Sequence, residues 1–254
     1  MIIIKTSEEI KRLREGGKRL SEVLHKVKEK VAPGVTAKEL DDYAFQLIKE
    51  MGDRPAFLNY KPSGAKKPFP ASLCVSVNSE VVHGIPKNET VLKEGDIVSI
   101  DLGLCYMGVF TDMAMTVPVG KVMPQYKKLM DVTRDALHAG IDMARVGKKV
   151  GDIGYAIESF VKPHKYGIVE ILSGHGVGRA IHEDPFIPNF GKKGTGEKLV
   201  AGMVIAIEPM LNLGTKHVVM DADGYTFRTA DGKASAHFEH TILITEGEPE
   251  ILTA

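Results

Sequence analysis

The spacing of apolar and polar residues divides the chain into helical and strand-like stretches. From about residue 7 to 31, apolar residues recur every three or four positions, which predicts a long amphipathic helix. A second helix is predicted after Thr36, and both helices begin at a capping box in which Thr is followed by Glu three residues later. Residues 53–70 are rich in Pro, Lys and Gly and predict a loop. Apolar runs then predict strands at 72–77, 97–102 and 110–117.

The same order of helices and strands recurs in the second half of the chain. Apolar periodicity predicts helices at about 124–144 and 151–161. A shift of 107 residues places Glu94–Asp101 over Ala201–Glu208, so that each apolar strand ends in an acid. Helix–loop–strand modules resemble one another by chance, but the matching acids, each preceded by a His-Gly pair, favour a repeat.

This repeat predicts an α+β fold made of two pseudo-symmetric halves, about 5–120 and 121–250, within a single domain spanning 1–254. We expect the strands to form one curved, mainly antiparallel sheet. The helices should cover one face of this sheet, and the acids should meet on the other face at the pseudo-twofold axis.

Composition and charge narrow the classes of function. The chain has 254 residues, 43% of them hydrophobic, and a formal net charge of zero, so nothing global favours nucleic acid or a membrane surface as the main partner. Cys74 and Cys105 lie in apolar runs without a C-x-x-C spacing, which predicts reduced thiols. The apolar N-terminus is too short for a signal peptide, and no run approaches the ~20 apolar residues that span a bilayer. We therefore expect a soluble cytoplasmic protein.

Two acids, Asp101 and Asp112, lie in runs that otherwise predict buried strands. The segment Cys105–Gly108 between them predicts a hairpin turn, so the strands should pair antiparallel and bring the two acids close together. Two carboxylates 4 Å apart repel by about 4 kcal/mol at an effective dielectric constant near 20. A counter-charge is therefore expected, and the pair forms half of a metal site.

Further candidates complete this site. His175 and His182 lie in a Gly-rich segment, Glu208 ends an apolar strand, and Glu239 alternates so that it faces the same side as His237. Two Asp, two Glu and one His make a ligand set suited to first-row divalent ions. Four carboxylates and a neutral imidazole carry a charge of about minus four, which two divalent ions neutralise. The number of acids therefore predicts a dinuclear site, provided that they converge.

Simpler interpretations exist for each residue taken alone. A lone acid at a strand end is usually solvated or paired with a base, and a lone His is more often a core residue than a ligand. The whole set disfavours this interpretation, because the flanking runs contain almost no Lys or Arg. The Gly-rich stretch His175–Arg179 also resembles a phosphate-binding loop, but it lacks the G-K-[ST] ending.

Six motifs of this chain closely resemble those of the methionine aminopeptidases: Val82-His-Gly-Ile-Pro, Ser99-Ile-Asp-Leu-Gly, Thr111-Asp112, Gly174-His-Gly-Val-Gly with His182, Ala206-Ile-Glu-Pro and His237-Phe-Glu-His-Thr. The similarity runs from about residue 5 to 250 and implies the pita-bread fold. The short span from His182 to Glu208 leaves no room for the helical insert of the eukaryotic-archaeal class, so the resemblance is to the bacterial type I class.

Relatives with other activities share this fold. Creatinases, prolidases and Xaa-Pro aminopeptidases usually carry a large N-terminal domain that this sequence lacks, which favours methionine cleavage. A non-catalytic protein that binds RNA or a protein partner is a further alternative, and the presence of all the metal-ligand residues argues against it.

The resemblance also implies residue roles. The metal ligands would be Asp101, Asp112, His175, Glu208 and Glu239, with Asp112 and Glu239 bridging two divalent ions (Co, Mn, Fe(II), Zn or Ni). His83 and His182 would contact the scissile amide nitrogen and the carbonyl group, and Glu208 would accept a proton during hydrolysis by a hydroxide held between the metals. The implied function is removal of the N-terminal methionine from peptides and nascent chains with a small second residue. A monomer is expected, and association with the ribosome stays open.

By alignment, an apolar slot for the methionine side chain would be formed by Phe57, Tyr60, Phe69, Cys74 and Tyr225. The alternative is that these residues are ordinary core residues. This sequence departs from the usual family pattern here, because Lys61–Pro68 lengthens the loop between Tyr60 and Phe69 and Tyr225 stands where tryptophan is frequent.

Overall fold

The structure, a computed structural model, describes residues 2–254, and Met1, the first residue of the predicted domain, lies outside this range. The helices are α1 (Ser7–Lys30), α2 (Ala37–Glu50), α3 (Pro124–Ile141) and α4 (Val150–Val161), with a 3₁₀ turn at Lys162–His164 after α4. Both predicted capping boxes are present, because the Thr6 and Thr36 hydroxyls accept the amides of Glu9 and Glu39, whose carboxylates accept the Thr amides in return. The helix predictions are confirmed, although α3 ends at Ile141 rather than at 144.

The strands of the described chain are β1 (Arg54–Pro55), β2 (Leu73–Val77), β3 (Glu80–Val82), β4 (Ile97–Tyr106), β5 (Val109–Pro118), β6 (Gly167–Ile168), β7 (Gly174–Gly176), β8 (Glu183–Ile187), β9 (Val204–Ile207), β10 (Met210–Asn212), β11 (Val218–Met220), β12 (Phe227–Thr229), β13 (Ser235–His237), β14 (Glu239–Leu243) and β15 (Glu250–Ile251). The main sheet runs in the order β1-β4-β5-β14-β9-β7-β8, with β2 on β4 and β15 on β14. Two small sheets, β13-β10-β6 and β11-β12-β3, lie beside it.

The hairpin β4–β5 confirms the predicted antiparallel pairing, but its turn is shorter than predicted. Cys105 pairs with Phe110 and Tyr106 with Val109, so the loop is only Met107-Gly108 rather than Cys105–Gly108. Both loop residues have positive φ, 45° at Met107 and 83° at Gly108. A two-residue turn with positive φ at both positions follows the right-handed twist of the strands, which allows the ladder to extend to the tip.

The two halves of the chain meet where β5 pairs with β14. Helices α1 and α2 pack on β2, β4 and β5, and α3 and α4 pack on β9 and β14, so each pair of helices covers the strands of its own half. Side chains on β4 alternate accordingly: Val98, Ile100 and Leu102 join the core under the helices, and Asp101 lies on the opposite face. The predicted layering is confirmed, whereas the division into two repeats of one domain stays a prediction.

None of the helices in residues 2–254 is long and apolar enough to cross a membrane.

A candidate metal centre

The strand register brings the four predicted acids together on the face of the sheet away from the helices. Asp101 pairs with Ala114 and Asp112 with Gly103, so the two Asp are diagonal neighbours on one face of the hairpin. On the other side of β5, Glu239 pairs with Ala114. The pairing of His240 with Ile207 then places Glu208, one residue beyond β9, next to Glu239.

His175 lies on the short strand β7 rather than in the Gly-rich loop that the sequence suggested. The glycines on both sides allow this strand to approach its neighbours closely, because a Cβ at Gly174 would lie 2.3 Å from the Ala206 carbonyl oxygen and one at Gly176 2.2 Å from that of Asp184. His175 Nδ1 lies 2.9 Å from the Gly176 carbonyl oxygen. Since a carbonyl only accepts, Nδ1 carries the proton and Nε2 keeps a lone pair for a metal.

Candidate ligand atoms of five side chains form two triads that share Glu239, and Asp101 belongs to neither triad. Asp112, His175 and Glu239 make one triad, and Glu208, His237 and Glu239 make the other, with the ligand atoms of each triad within 4.8 Å of one another. His237, whose Nε2 lies 3.4 Å from Glu208 Oε2, was not among the predicted site residues. The alternation of the sequence around Glu239, which already places His237 on the same side, is the signal that could have identified it.

Burial makes this cluster of acids costly without cations. It raises the pKa of Asp101 to about 7, and the charge of Glu208 adds to this effect. Burial, followed by the charges of neighbouring carboxylates, raises the pKa values of Asp112 and Glu239 well above their usual range. The residues described as lining this cavity include no Lys or Arg that could balance these charges.

Several buried polar atoms of the cluster have no hydrogen-bond partner among the described residues, namely Asp101 Oδ1, Glu239 Oε1 and both ring nitrogens of His237. Buried polar groups are normally paired, and carboxylate oxygens and imidazole nitrogens are the ligands that first-row divalent ions accept. The residues present therefore fit divalent metal ions.

Two further predicted histidines face the same cavity without belonging to either triad. The His182 ring lies edge-on against His175, with 4.4 Å between ring centroids, and its Nδ1 is 2.8 Å from the Tyr60 hydroxyl. His83 has a left-handed backbone, with φ of 58°. Burial lowers the pKa of His83 to about 4, so this imidazole is neutral at pH 7.

The residues predicted to form the slot for the methionine side chain line the part of the cavity next to the acids, a space of about 140 Å³. These residues are Phe57, Tyr60, Phe69, Cys74 and Tyr225. Gly103 on β4 leaves room for the Phe57 ring, because a Cβ at this position would lie only 2.8 Å from Phe57 Cε1. Tyr225 packs edge-on against Phe69 at 5.2 Å and donates its hydroxyl to the Lys67 carbonyl, which ties the long loop Lys61–Pro68 to the pocket.

A wider cleft of about 580 Å³ adjoins this pocket and shares His83, His175, His182 and Glu208 with it. The cleft continues past the metal cluster to Leu172 and the exposed Phe186. An extended ligand could therefore place one side chain in the pocket while the rest of its chain occupies the cleft.

Comparison with known proteins agrees with this geometry. Residues 11–246 match the model of metallopeptidase family M24. The chain belongs to metallopeptidase family M24. Within this family, a methionine aminopeptidase of Aquifex aeolicus is 49% identical over 254 residues, covering 98% of this chain and 97% of the relative. The crystal structure of methionine aminopeptidase from Rickettsia prowazekii matches with a TM-score of 0.95 at 42% identity and covers both chains completely.

A more distant M24 structure, a prolidase from Pyrococcus furiosus, matches with a TM-score of 0.77 at 26% identity, and the match covers 99% of this chain but 65% of the prolidase. The predicted pita-bread fold is thus confirmed, and so is the predicted resemblance to methionine aminopeptidases. Membership of M24 makes this chain a metallopeptidase that uses divalent metal, and the cluster described above is its candidate site.

Proposed function

We propose that this M24 peptidase removes the N-terminal methionine from peptides and nascent proteins, using two divalent ions. The observation that carries the proposal is the position of a small apolar pocket beside a cluster of buried acids. An apolar pocket of about 140 Å³ suits one side chain, and aromatic rings and a thiol suit the polarisable thioether of methionine.

The metal ions would be held by Asp101, Asp112, His175, Glu208 and Glu239. Two triads that share Glu239 and a cluster charge of about minus four support two ions rather than one. When bound, such ions polarise a substrate carbonyl and acidify a water molecule. Carboxylates with one imidazole suit first-row divalent ions, here Co, Mn, Fe(II), Zn or Ni.

Glu208 is the best placed proton acceptor of the cluster. Its side chain is 13% exposed, more than that of Asp112, and it lines both the pocket and the wider cleft. It can therefore take a proton from water and pass it to the leaving amine as the peptide bond breaks.

His182 is suited to stabilise the negative charge that develops on the substrate carbonyl oxygen. If the Tyr60 hydroxyl donates to His182 Nδ1, the proton of the neutral ring is on Nε2 and points away from Tyr60. Burial lowers the pKa of His182, which supports a neutral ring. We assign His83, which lines the same cavity, to the scissile amide nitrogen.

We further propose that the enzyme acts as a monomeric, single-domain protein in the cytoplasm, where nascent chains present their N-terminal methionine. Contact with the ribosome would bring it to this substrate. A small second residue is preferred because the pocket and the acids leave limited space next to the cleaved bond.

The test is release of the N-terminal residue by the metal-loaded protein from Met-Ala-Ser, Met-Leu-Ser, Leu-Ala-Ser and Ala-Pro. We expect rapid cleavage of Met-Ala-Ser only. Comparable kcat/KM for Met-Leu-Ser would reject the preference for a small second residue. Faster cleavage of Ala-Pro than of Met-Ala-Ser would instead indicate a prolidase-like specificity.

A further inference from the structure

A lysine of the N-terminal segment and a glutamate next to the candidate centre form a buried ion pair. Lys5 Nζ lies 2.5 Å from Glu183 Oε2, and the two side chains are 1% and 4% exposed. Removing charges from water is costly, so a buried pair persists only with good geometry and additional hydrogen bonds. The surroundings of both residues supply these bonds.

The second carboxylate oxygen of Glu183 closes the turn that precedes it. Glu183 Oε1 accepts the backbone amides of Arg179 at 2.5 Å and Ala180 at 3.0 Å. The turn from 179 to 183 carries His182, the residue directly before Glu183. The carboxylate that Lys5 binds therefore also fixes the backbone from which His182 extends.

Lys5 itself is anchored at both ends. Its backbone amide donates to the Gly202 carbonyl at 2.9 Å, and its ammonium group also donates to the Ile3 carbonyl at 3.2 Å. Gly178, the residue before the turn, packs directly against the aliphatic part of the Lys5 side chain, because a Cβ at Gly178 would lie 2.3 Å from Lys5 Cε. The Gly178 carbonyl accepts the Phe110 amide at 2.7 Å, which links the turn to β5.

We propose that Lys5 and Glu183 are positioning residues that set the place of the His182 imidazole through the turn 179–183. The proposal rests on the function proposed above, in which His182 contacts the substrate carbonyl. Among the ring and hydrogen-bond contacts described for it, the His182 ring meets only two residues, the His175 ring and the ring and hydroxyl of Tyr60. Its position therefore depends strongly on its backbone. A misplacement of about 1 Å can cost about 100-fold in rate.

The same turn offers a matched control. Arg179 forms a second ion pair with the N-terminal region, with its Nε 2.6 Å from Glu9 Oε1, but its side chain is 49% exposed. Exposed ion pairs contribute little to the stability of the fold. The substitution Arg179→Met therefore removes an ion pair between the same two segments and leaves the backbone amide that Glu183 accepts.

The experiment compares metal-loaded wild type with Lys5→Met, Lys5→Arg, Glu183→Gln and Arg179→Met on Met-Ala-Ser. We expect Lys5→Met and Glu183→Gln to lower kcat by about 10- to 100-fold, with KM changed by less than about threefold. Elemental analysis should give unchanged bound metal. Lys5→Arg should restore most of kcat, and Arg179→Met should stay within about twofold of wild type.

The double variant Lys5→Met/Glu183→Gln separates positioning from stability. Removing both charges leaves no unpaired buried charge, so its Tm should recover relative to the single variants. If the pair positions His182, kcat stays low at the recovered Tm. If kcat recovers together with Tm, or if folded Lys5→Met keeps wild-type kcat, the proposal is overturned. The double variant serves the same purpose if Lys5→Met does not fold.

Amide hydrogen exchange tests the coupling without activity. Residues 174–184 should exchange faster in Lys5→Met and Glu183→Gln than in wild type and Arg179→Met. Unchanged exchange would overturn the proposal. If the proposed function fails, wild type itself releases no methionine, and that result is distinct from slow variants of an active wild type.

Discussion

The metal-ligand cluster and the apolar pocket share one cavity but are held in different ways. Asp101, Asp112 and Glu239 lie on β4, β5 and β14, where a continuous ladder fixes their backbones. Tyr60 and Tyr225 lie outside the strands, and each side chain is held by a ring contact and a single hydrogen bond of its hydroxyl. A change in the cluster should therefore alter charge balance and metal content, whereas a change in the pocket should alter substrate affinity and leave the metal in place.

The largest effect is expected from substitutions of Asp112 and Glu239, which lie on the paired strands β5 and β14. The Thr241 hydroxyl accepts the Asp112 amide at 2.9 Å and donates to the Asp112 carbonyl at 2.8 Å, so Asp112→Asn should keep its backbone position. Asp112→Asn and Glu239→Gln should each reduce bound metal and lower kcat by about 10⁴-fold, because each removes a charge that both ions require.

Elemental analysis after loading with Mn or Co, paired with peptide kinetics, measures this effect. The exposed substitution Asp42→Asn is the control and should change neither quantity. Two ions per chain together with full activity in Glu239→Gln would refute the shared-ligand assignment.

The next largest effects are expected from substitutions of the three histidines that line the same cavity. His83→Ala and His182→Ala should retain metal and lose about 10²- to 10³-fold in kcat, because their hydrogen bonds act mainly in the transition state. His175→Ala should weaken metal binding, since its free Nε2 lies 3.5 Å from Glu208 Oε1 within the cluster. Titration calorimetry with Mn on the three variants distinguishes these roles. Loss of metal from His83→Ala equal to that from His175→Ala would make His83 a ligand.

Sequence patterns predicted the cluster better than its surroundings. An acid inside an apolar strand run is a local signal, so Asp101 and Asp112 could be identified from the chain alone. The link between Lys5 and Glu183 joins residues far apart in sequence and depends on where the N-terminal segment packs in the folded chain, which no local pattern specifies. His237 was missed as a candidate because its role depends on its distance to Glu208, which lies just beyond β9 and far from His237 in sequence.

A smaller effect concerns pH. In the metal-free protein, burial raises the pKa of Asp101 to about 7, so this carboxyl holds a proton at pH 6, and burial also raises the pKa values of Asp112 and Glu239 well above their usual range. A binding cation must displace such protons, so apparent affinity should rise with pH by up to about tenfold per pH unit for each proton released. His175, whose pKa burial lowers to about 3, adds no competing proton in this range.

Calorimetric titration with Mn at pH 6, 7 and 8, in buffers of different ionisation enthalpy, counts the released protons. At least one proton should be released at pH 6, and Asp101→Asn should release fewer. Binding without proton release at pH 6 would contradict the raised pKa values.

The smallest effect is expected in the pocket. Tyr225→Phe removes the hydroxyl that donates to the Lys67 carbonyl, a contribution of about 1 kcal/mol, and so loosens the loop over the pocket. KM for Met-Ala-Ser should rise by about fivefold or less with metal content unchanged. The matched control is Tyr155→Phe, an exposed tyrosine on α4. A loss of metal in Tyr225→Phe would show that pocket and cluster are not separable.

The most direct test of the account is a crystal structure of the wild-type protein loaded with Mn, with anomalous scattering used to locate the ions. The account predicts two peaks about 3.5–4 Å apart. Asp112 and Glu239 should contact both ions, and Asp101, His175 and Glu208 should complete the coordination. A single peak, or two peaks of which neither contacts Asp101, would contradict the dinuclear centre.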